Sequence, residues 1–250
     1  MNVVVINGSP RLQAGNTWLI LEPFVEGLRQ AGCVVSVIEA VKIKIAPCSG
    51  DMFCCVKAPG TCVKGDDMGG LLPVLDNADL WVVASPVYCD GISAQAKTIL
   101  DRIVPLLSPT FELRGGHCRH PRRKQSSARA RLVLVSSCGH WETDNFSPLV
   151  HHMKALARNA NMIFAGALLR PHASVLKQLH DSAEASEVFA AARAAGLEIA
   201  KTGRIPKALS TAISAELVDR DSYINSSNAF IESLLAKGRP PRNVCDTTEN

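Results

Sequence analysis

An unbroken β-branched run, followed by a polar loop with two glycines and a helix start, is the feature that most restricts this fold. Val3, Val4, Val5 and Ile6 are apolar without alternation, the pattern of a central parallel strand covered on both faces. The loop behind it reads Asn7-Gly8-Ser9-Pro10-Arg11-Leu12-Gln13-Ala14-Gly15-Asn16-Thr17. Gly8 and Gly15 permit unusual backbone angles, and Ser9, Asn16 and Thr17 carry short hydrogen-bonding side chains. The helix expected from Thr17 points its free N–H groups back into the loop, a ready site for a phosphate. A well-capped turn without a ligand would share the Asn and Thr. The loop has neither the Gly-Lys-Ser/Thr of a triphosphate loop nor G-x-G-x-x-G, which argues against both.

Strand and helix patterns then alternate. Helical spacing over residues 17–30 leads to a strand at 33–39 and a long loop, 41–70, carrying Cys48, Cys54, Cys55 and Cys62. A short helix at 71–76 precedes a strand at 78–84, the loop Ser85 to Gly91, and a helix over 92–107. Residues 108–130 look irregular and basic. Strands are expected at 131–136 and 162–169, with helices at 146–159 and 183–201. One or two further helices should occupy 211–236, and the polar end 238–250 should fray. The expected fold is α/β, a flavodoxin-like doubly wound five-stranded parallel sheet of order 2-1-3-4-5 with a C-terminal helical extension. Residues 1–205 would form the domain and 206–250 the extension. Such sheets bind ligands beyond the carboxyl ends of their strands, where the loops at 9–17, 85–91 and 136–140 would meet.

With 250 residues and 47% hydrophobic content, one such domain plus an appendage is the natural division. No membrane span or secretory leader is visible, so a cytoplasmic location is expected. Nine cysteines, an odd number without a leader, point to reduced thiols rather than a disulfide framework. A net charge of +4 selects no partner.

The three loops carry a resemblance. The chain resembles flavodoxin-like NAD(P)H-dependent FMN reductases, close to the iron-sulfur flavoprotein branch. The family's G-S-P-R-x-x-G-N-T is met by Gly8 to Thr17 with one extra residue, its S-P-V-Y by Ser85-Pro86-Val87-Tyr88, its Q-x-K by Gln95-Ala96-Lys97, its D-R by Asp101-Arg102, and its T/S-C-G by Ser137-Cys138-Gly139. The resemblance implies that Ser9, Arg11, Gly15, Asn16 and Thr17 hold the FMN phosphate, with Arg11 adding a fork of charged donors. Ser85, Pro86, Val87 and Tyr88 would line one side of the flavin ring, and Ser137, Cys138 and Gly139 the other. No acid, base or nucleophile is nominated, because the flavin carries the chemistry. It further implies hydride transfer from NAD(P)H to FMN and on to a small-molecule acceptor such as a quinone, a nitro compound or free flavin, in a homodimer or homotetramer. The alternative is a flavodoxin-like electron carrier reduced by a protein partner.

The iron-sulfur branch places four cysteines around a [4Fe-4S] cluster. Here Cys48, Cys54 and Cys62 match, but Asp51 stands at the second position. A loop that keeps the family's shape without metal is the expected outcome, with a cluster or a bound zinc as the alternatives. The basic stretch from Arg114 to Arg129 lacks interleaved aromatics, so no nucleic-acid partner is expected; a narrower reading has its arginines meeting the phosphates of NAD(P)H. Asp101 and Arg102 are expected to form an ion pair at the helix end or a subunit contact.

Overall fold

The computed structural model describes residues 1–124 and 129–237. The expected frayed end at 238–250 and part of the basic stretch, 125–128, lie outside the described residues. Five parallel strands, β1 (Asn2–Asn7), β2 (Val34–Glu39), β3 (Leu80–Pro86), β6 (Arg131–Ser137) and β7 (Ile163–Arg170), form a sheet of order β2-β1-β3-β6-β7. Among the parallel strands that is the expected 2-1-3-4-5.

The continuous apolar runs are explained by the two covered faces. Val3, Val5, Val82, Val133 and Val135 point to one side, against α1 (Trp18–Gln30) and α7 (Ala183–Thr202). Their neighbours Val4, Ile6, Trp81, Val83, Leu132 and Leu134 point to the other, against α3 (Met68–Asn77), α4 (Ala94–Asp101) and α5 (Ser147–Asn159). Successive residues of a strand face opposite ways, so a strand buried on both sides needs no polar alternation. The helices α1 and α7 touch through glycines. A Cβ on Gly27 would lie 2.0 Å from Arg193 O, and one on Gly196 2.2 Å from Phe24 O.

The sheet's connections differ from expectation in four places. The cysteine loop contains a single turn of helix, α2 (Phe53–Val56). The helix expected over 92–107 stops at Asp101 and resumes as a 3-10 turn, Val104–Leu106. Residues 108–124 are not wholly irregular: β4 (Glu112–Arg114) and β5 (His117–Arg119) pair antiparallel across Gly115-Gly116, whose φ values of 60° and 77° suit a tight hairpin turn. A short helix, α6 (Ala173–Gln178), follows β7.

The C-terminal helices are α8 (Lys207–Ile213) and α9 (Arg220–Ala236). Ile205 and Ile213 join the core beside α7, whereas α9 buries no residue and exposes Ile224, Phe230, Ile231 and Leu235. Among the described residues no helix is long and apolar enough to cross a membrane.

Candidate functional site

The loop after β1 is built to keep donors open. Gly8 N–H donates to Ala84 O at 2.7 Å, and Ser93 Oγ donates to Gly8 O at 2.7 Å, which bolts the loop to β3 and to the start of α4. Leu12 takes a left-handed φ of 51° inside a 3-10 turn, Leu12–Ala14. A Cβ on Gly15 would stand 2.4 Å from Ser9 Oγ, so only glycine lets the loop close on the buried Ser9. Within this turn the N–H groups of Arg11, Asn16 and Thr17 meet no acceptor among the described residues. Arg11 Nε is buried and equally unpartnered. An unpartnered guanidinium nitrogen and three free backbone donors thus belong to one turn at a helix start, the donor types that an anion site uses.

The other two loops stand at the same end of the sheet. Thr17 Oγ1 and Ser137 Oγ lie 2.8 Å apart, both residues buried, joining the first loop directly to the third. Val87 N–H donates to Ser137 O at 2.9 Å, joining the second to the third. Tyr88 and Gly91 exchange backbone hydrogen bonds across Cys89 and Asp90, both left-handed with φ of 45° and 60°, and this turn leaves Tyr88 47% exposed. Ser85 is placed differently. It is fully buried, its hydroxyl donates to Pro86 O at 2.8 Å, and its oxygen accepts Ser93 N–H at 2.9 Å, so it braces the loop from inside. Cys138 is also buried. Burial pushes its thiol up, and Sγ donates to His140 O at 3.4 Å, so it is an unreactive thiol that fixes the turn. Gly139 lies open, with no atom within 4 Å of where its Cβ would stand.

Residues 1–173 match the NADPH-dependent FMN reductase family. The chain belongs to that family. An iron-sulfur flavoprotein of Methanocaldococcus jannaschii is 36% identical over 106 residues, 42% of this chain and 53% of that protein. The chain spans about half the length of the curated relatives it matches. Two solved structures share the fold. An FMN-dependent NADH-azoreductase from Bacillus anthracis, in complex with FMN, gives a TM-score of 0.60 at 12% identity over 80% of this chain and 99% of that one. RosB with a bound flavin-phosphate intermediate gives 0.54 at 13% identity over 100% of this chain and 95% of that one.

The family's cofactor is consistent with what the first loop leaves open. The unpartnered Arg11 Nε and the free N–H groups of Arg11, Asn16 and Thr17 suit a terminal phosphate, and the neighbouring loops offer an exposed aromatic, Tyr88, and an open glycine, Gly139.

The cysteine loop gives a different result. Cys48, Asp51, Cys54, Cys62 and Arg102 line one cavity of about 110 Å³. Arg102 is almost fully buried. Its guanidinium grips Asp66 through two hydrogen bonds of 2.8 and 2.9 Å, donates to Ala46 O at 2.6 Å, and reaches Cys62 Sγ at 3.0 Å. The hydrogen bonds from Arg102 hold the Asp66 carboxyl below the usual carboxylate range. Asp66 and Asp67 also accept the N–H groups of Ala46 and Lys44, which ties the loop's two ends together. Arg102 does form an ion pair, but with Asp66 and turned inward against the cysteine loop rather than with Asp101 at the helix end. The neighbouring Asp101 pairs with Lys97 on the surface.

A [4Fe-4S] cluster is held by four thiolates. Asp51, at the second position, accepts from Ser49 Oγ at 2.5 Å and from Phe53 N–H at 3.0 Å, so its carboxylate shapes the turn before α2. Cys55 is buried outside the cavity, 4.0 Å from Cys54 through sulfur. Burial, reinforced by Cys55, Cys62 and Cys48 nearby, pushes the Cys54 thiol up to about 11. Among the described residues no three His, Cys, Asp or Glu side chains converge on a single metal ion. The donor set does not fit a four-thiolate cluster.

Among the described residues of the basic stretch, Arg122 and Lys124 do not reach the three loops. Arg122 pairs with Asp76 at 2.7 Å and Lys124 with Asn77 at 2.5 Å, at the amino end of β3, while Arg123 donates to Pro105 O. The narrower reading, in which these side chains meet NAD(P)H phosphates beside the flavin, fails for Arg122 and Lys124 because they sit at the opposite end of the strand from the site.

Proposed function

We propose that this chain binds FMN with its phosphate in the loop from Ser9 to Thr17, and that it takes a hydride from NAD(P)H and passes electrons to a small-molecule acceptor. The carrying observation is the set of open donors around Arg11 at a helix start, in direct contact through Thr17 and Ser137 with two further loops. Arg11, Asn16 and Thr17 bind and orient; Pro86, Val87 and Tyr88 offer a wall; Gly139 leaves room for a flat ring. When bound, the flavin supplies two-electron chemistry, and the protein supplies its orientation and hydrogen bonding. Quinones, nitro compounds, azo compounds and free flavin are the acceptor classes to test. The azo class enters because similar solved structures include an FMN-dependent NADH-azoreductase. The proposal routes electrons through the flavin alone, since the cavity of the cysteine loop offers three thiols and an engaged carboxylate.

The eight cysteines of the described residues are unpaired, which supports a reducing, cytoplasmic setting. The exposed Tyr88 and the apolar residues of α9 support a homodimer or homotetramer. Light scattering on purified protein checks this, and a monomer that holds FMN would contradict it. Anaerobic mixing of FMN-loaded protein with NADH or NADPH tests the activity. Rapid bleaching of the flavin absorption is expected. Flavin that stays oxidised with both nucleotides would overturn the reductase and favour the carrier.

A further inference from the structure

Beyond residue 173, where the family match ends, residues 213–223 fold back onto the carboxyl end of β7 and the loop after β6. Six hydrogen bonds make the return. Arg170 Nη1 donates to Ile213 O at 2.8 Å and Nη2 to Ala215 O at 2.7 Å. Ser214 Oγ donates to Leu169 O at 2.8 Å, Leu217 N–H to His172 Nε2 at 3.3 Å, and Trp141 Nε1 to Val218 O at 3.0 Å. Tyr223 Oη donates to Gly139 O. The His172 ring lies between Trp141 and Tyr223, with centroid separations of 6.1 and 6.0 Å.

The centre of this knot is set in one state. Arg170 and His172 are fully buried, and Arg170 donates to backbone carbonyls and to His172 Nε2, with no carboxylate as partner. Burial first, and then the Arg170 charge, lower His172 to about 4. The imidazole is therefore neutral near pH 7, and Nε2 accepts from both Arg170 and Leu217.

The consequence reaches the site through one peptide group. In a trans peptide the carbonyl and the following N–H point in opposite directions. Tyr223, by holding the Gly139 carbonyl, turns the His140 N–H away from the C-terminal segment. Neither the Gly139 nor the His140 N–H meets an acceptor among the described residues, and the side of Gly139 that a Cβ would occupy is open.

We propose that residues 213–223 are a built-in clamp on the third loop, with Tyr223 as a positioning residue that holds the Gly139–His140 donors for the polar edge of the flavin ring. This rests on the FMN reading above. The clamp lies outside the part of the chain that defines the family, so it would give this protein its own setting of a shared cofactor.

The test compares full-length wild type with Tyr223→Phe, which keeps the ring beside His172 and removes only the hydroxyl. Apoprotein is titrated with FMN by fluorescence quenching, and the visible spectrum and midpoint potential of the loaded protein are recorded with its melting temperature. An FMN dissociation constant raised about five- to tenfold is expected, with displaced flavin bands and a changed potential at a nearly constant melting temperature. Trp141→Phe, which removes the bond to Val218, should move the same readouts in the same direction by less. It carries the test if Tyr223→Phe does not fold. Wild-type affinity, spectrum and potential in a folded variant would overturn the clamp alone. A wild-type protein that takes up no FMN would overturn the FMN reading and the clamp with it.

Discussion

The loops after β1 and after β2 leave the same end of the sheet, and they engage their polar groups to different degrees. The first closes on itself through Gly15 and Ser9 yet leaves Arg11 Nε and three backbone N–H groups without partners. The second joins Arg102, Asp66, Ala46 and Cys62 into one network through both terminal nitrogens of the guanidinium, leaving only its Nε without a partner, and engages Asp51 with Ser49 and Phe53. Buried polar groups left unmatched carry a desolvation cost. Several open donors in one turn at a helix start therefore suit a ligand, and a guanidinium engaged through both terminal nitrogens suits a fastening. The difference separates two loops that both look functional in the sequence.

The largest effect should come from opening the fastened loop. Arg102→Leu leaves the Asp66 carboxylate without its partner and frees the cysteine loop, a loss of about 3 kcal/mol in urea unfolding. FMN affinity of the folded fraction should change little; a protein of wild-type stability would contradict the fastening. The open loop should respond the other way round. Arg11→Met is expected to weaken FMN binding about 10- to 100-fold, the range of one hydrogen bond to a charged group, and to leave apoprotein unfolding unchanged.

The smallest effect sharpens the account of the cysteines. With its thiol raised to about 11, Cys54 is protonated at pH 8, and its thiolate fraction grows about tenfold per pH unit until it nears that value. Alkylation of Cys54 by iodoacetamide, followed by peptide mass spectrometry, should climb through pH 8 to 10 with that slope. A rate that levels off by pH 9 would contradict the burial argument.

Much of this was legible in the residues. Val3 to Ile6 and the apolar run ending at Ala84 announced strands covered on both faces, and the topology followed from their alternation with helices. The turn of the first loop was legible where Ser9 and Gly15 act locally, but its ties to Ala84, Ser93 and Ser137 left no trace in the residues. The hairpin at Gly115-Gly116 was missed although its signal was present: two glycines between short segments are a hairpin turn, masked here by the surrounding arginines. The inward turn of Arg102 left no such trace, since Asp66 and Cys62 lie 36 and 40 residues away. The clamp was equally silent, joining Tyr223 to Gly139 across 84 residues. Ser85 shows a motif residue serving the motif's shape, with its hydroxyl turned into the loop.

The central claim is that the open donors of the first loop hold the phosphate of FMN. Riboflavin is the same flavin without that phosphate, so parallel titrations of the apoprotein with FMN and riboflavin test it most directly. FMN should bind at least about 100-fold more tightly, consistent with one or more charge-assisted hydrogen bonds, and Arg11→Met should erase most of the gap. Equal affinities for the two flavins would contradict the account.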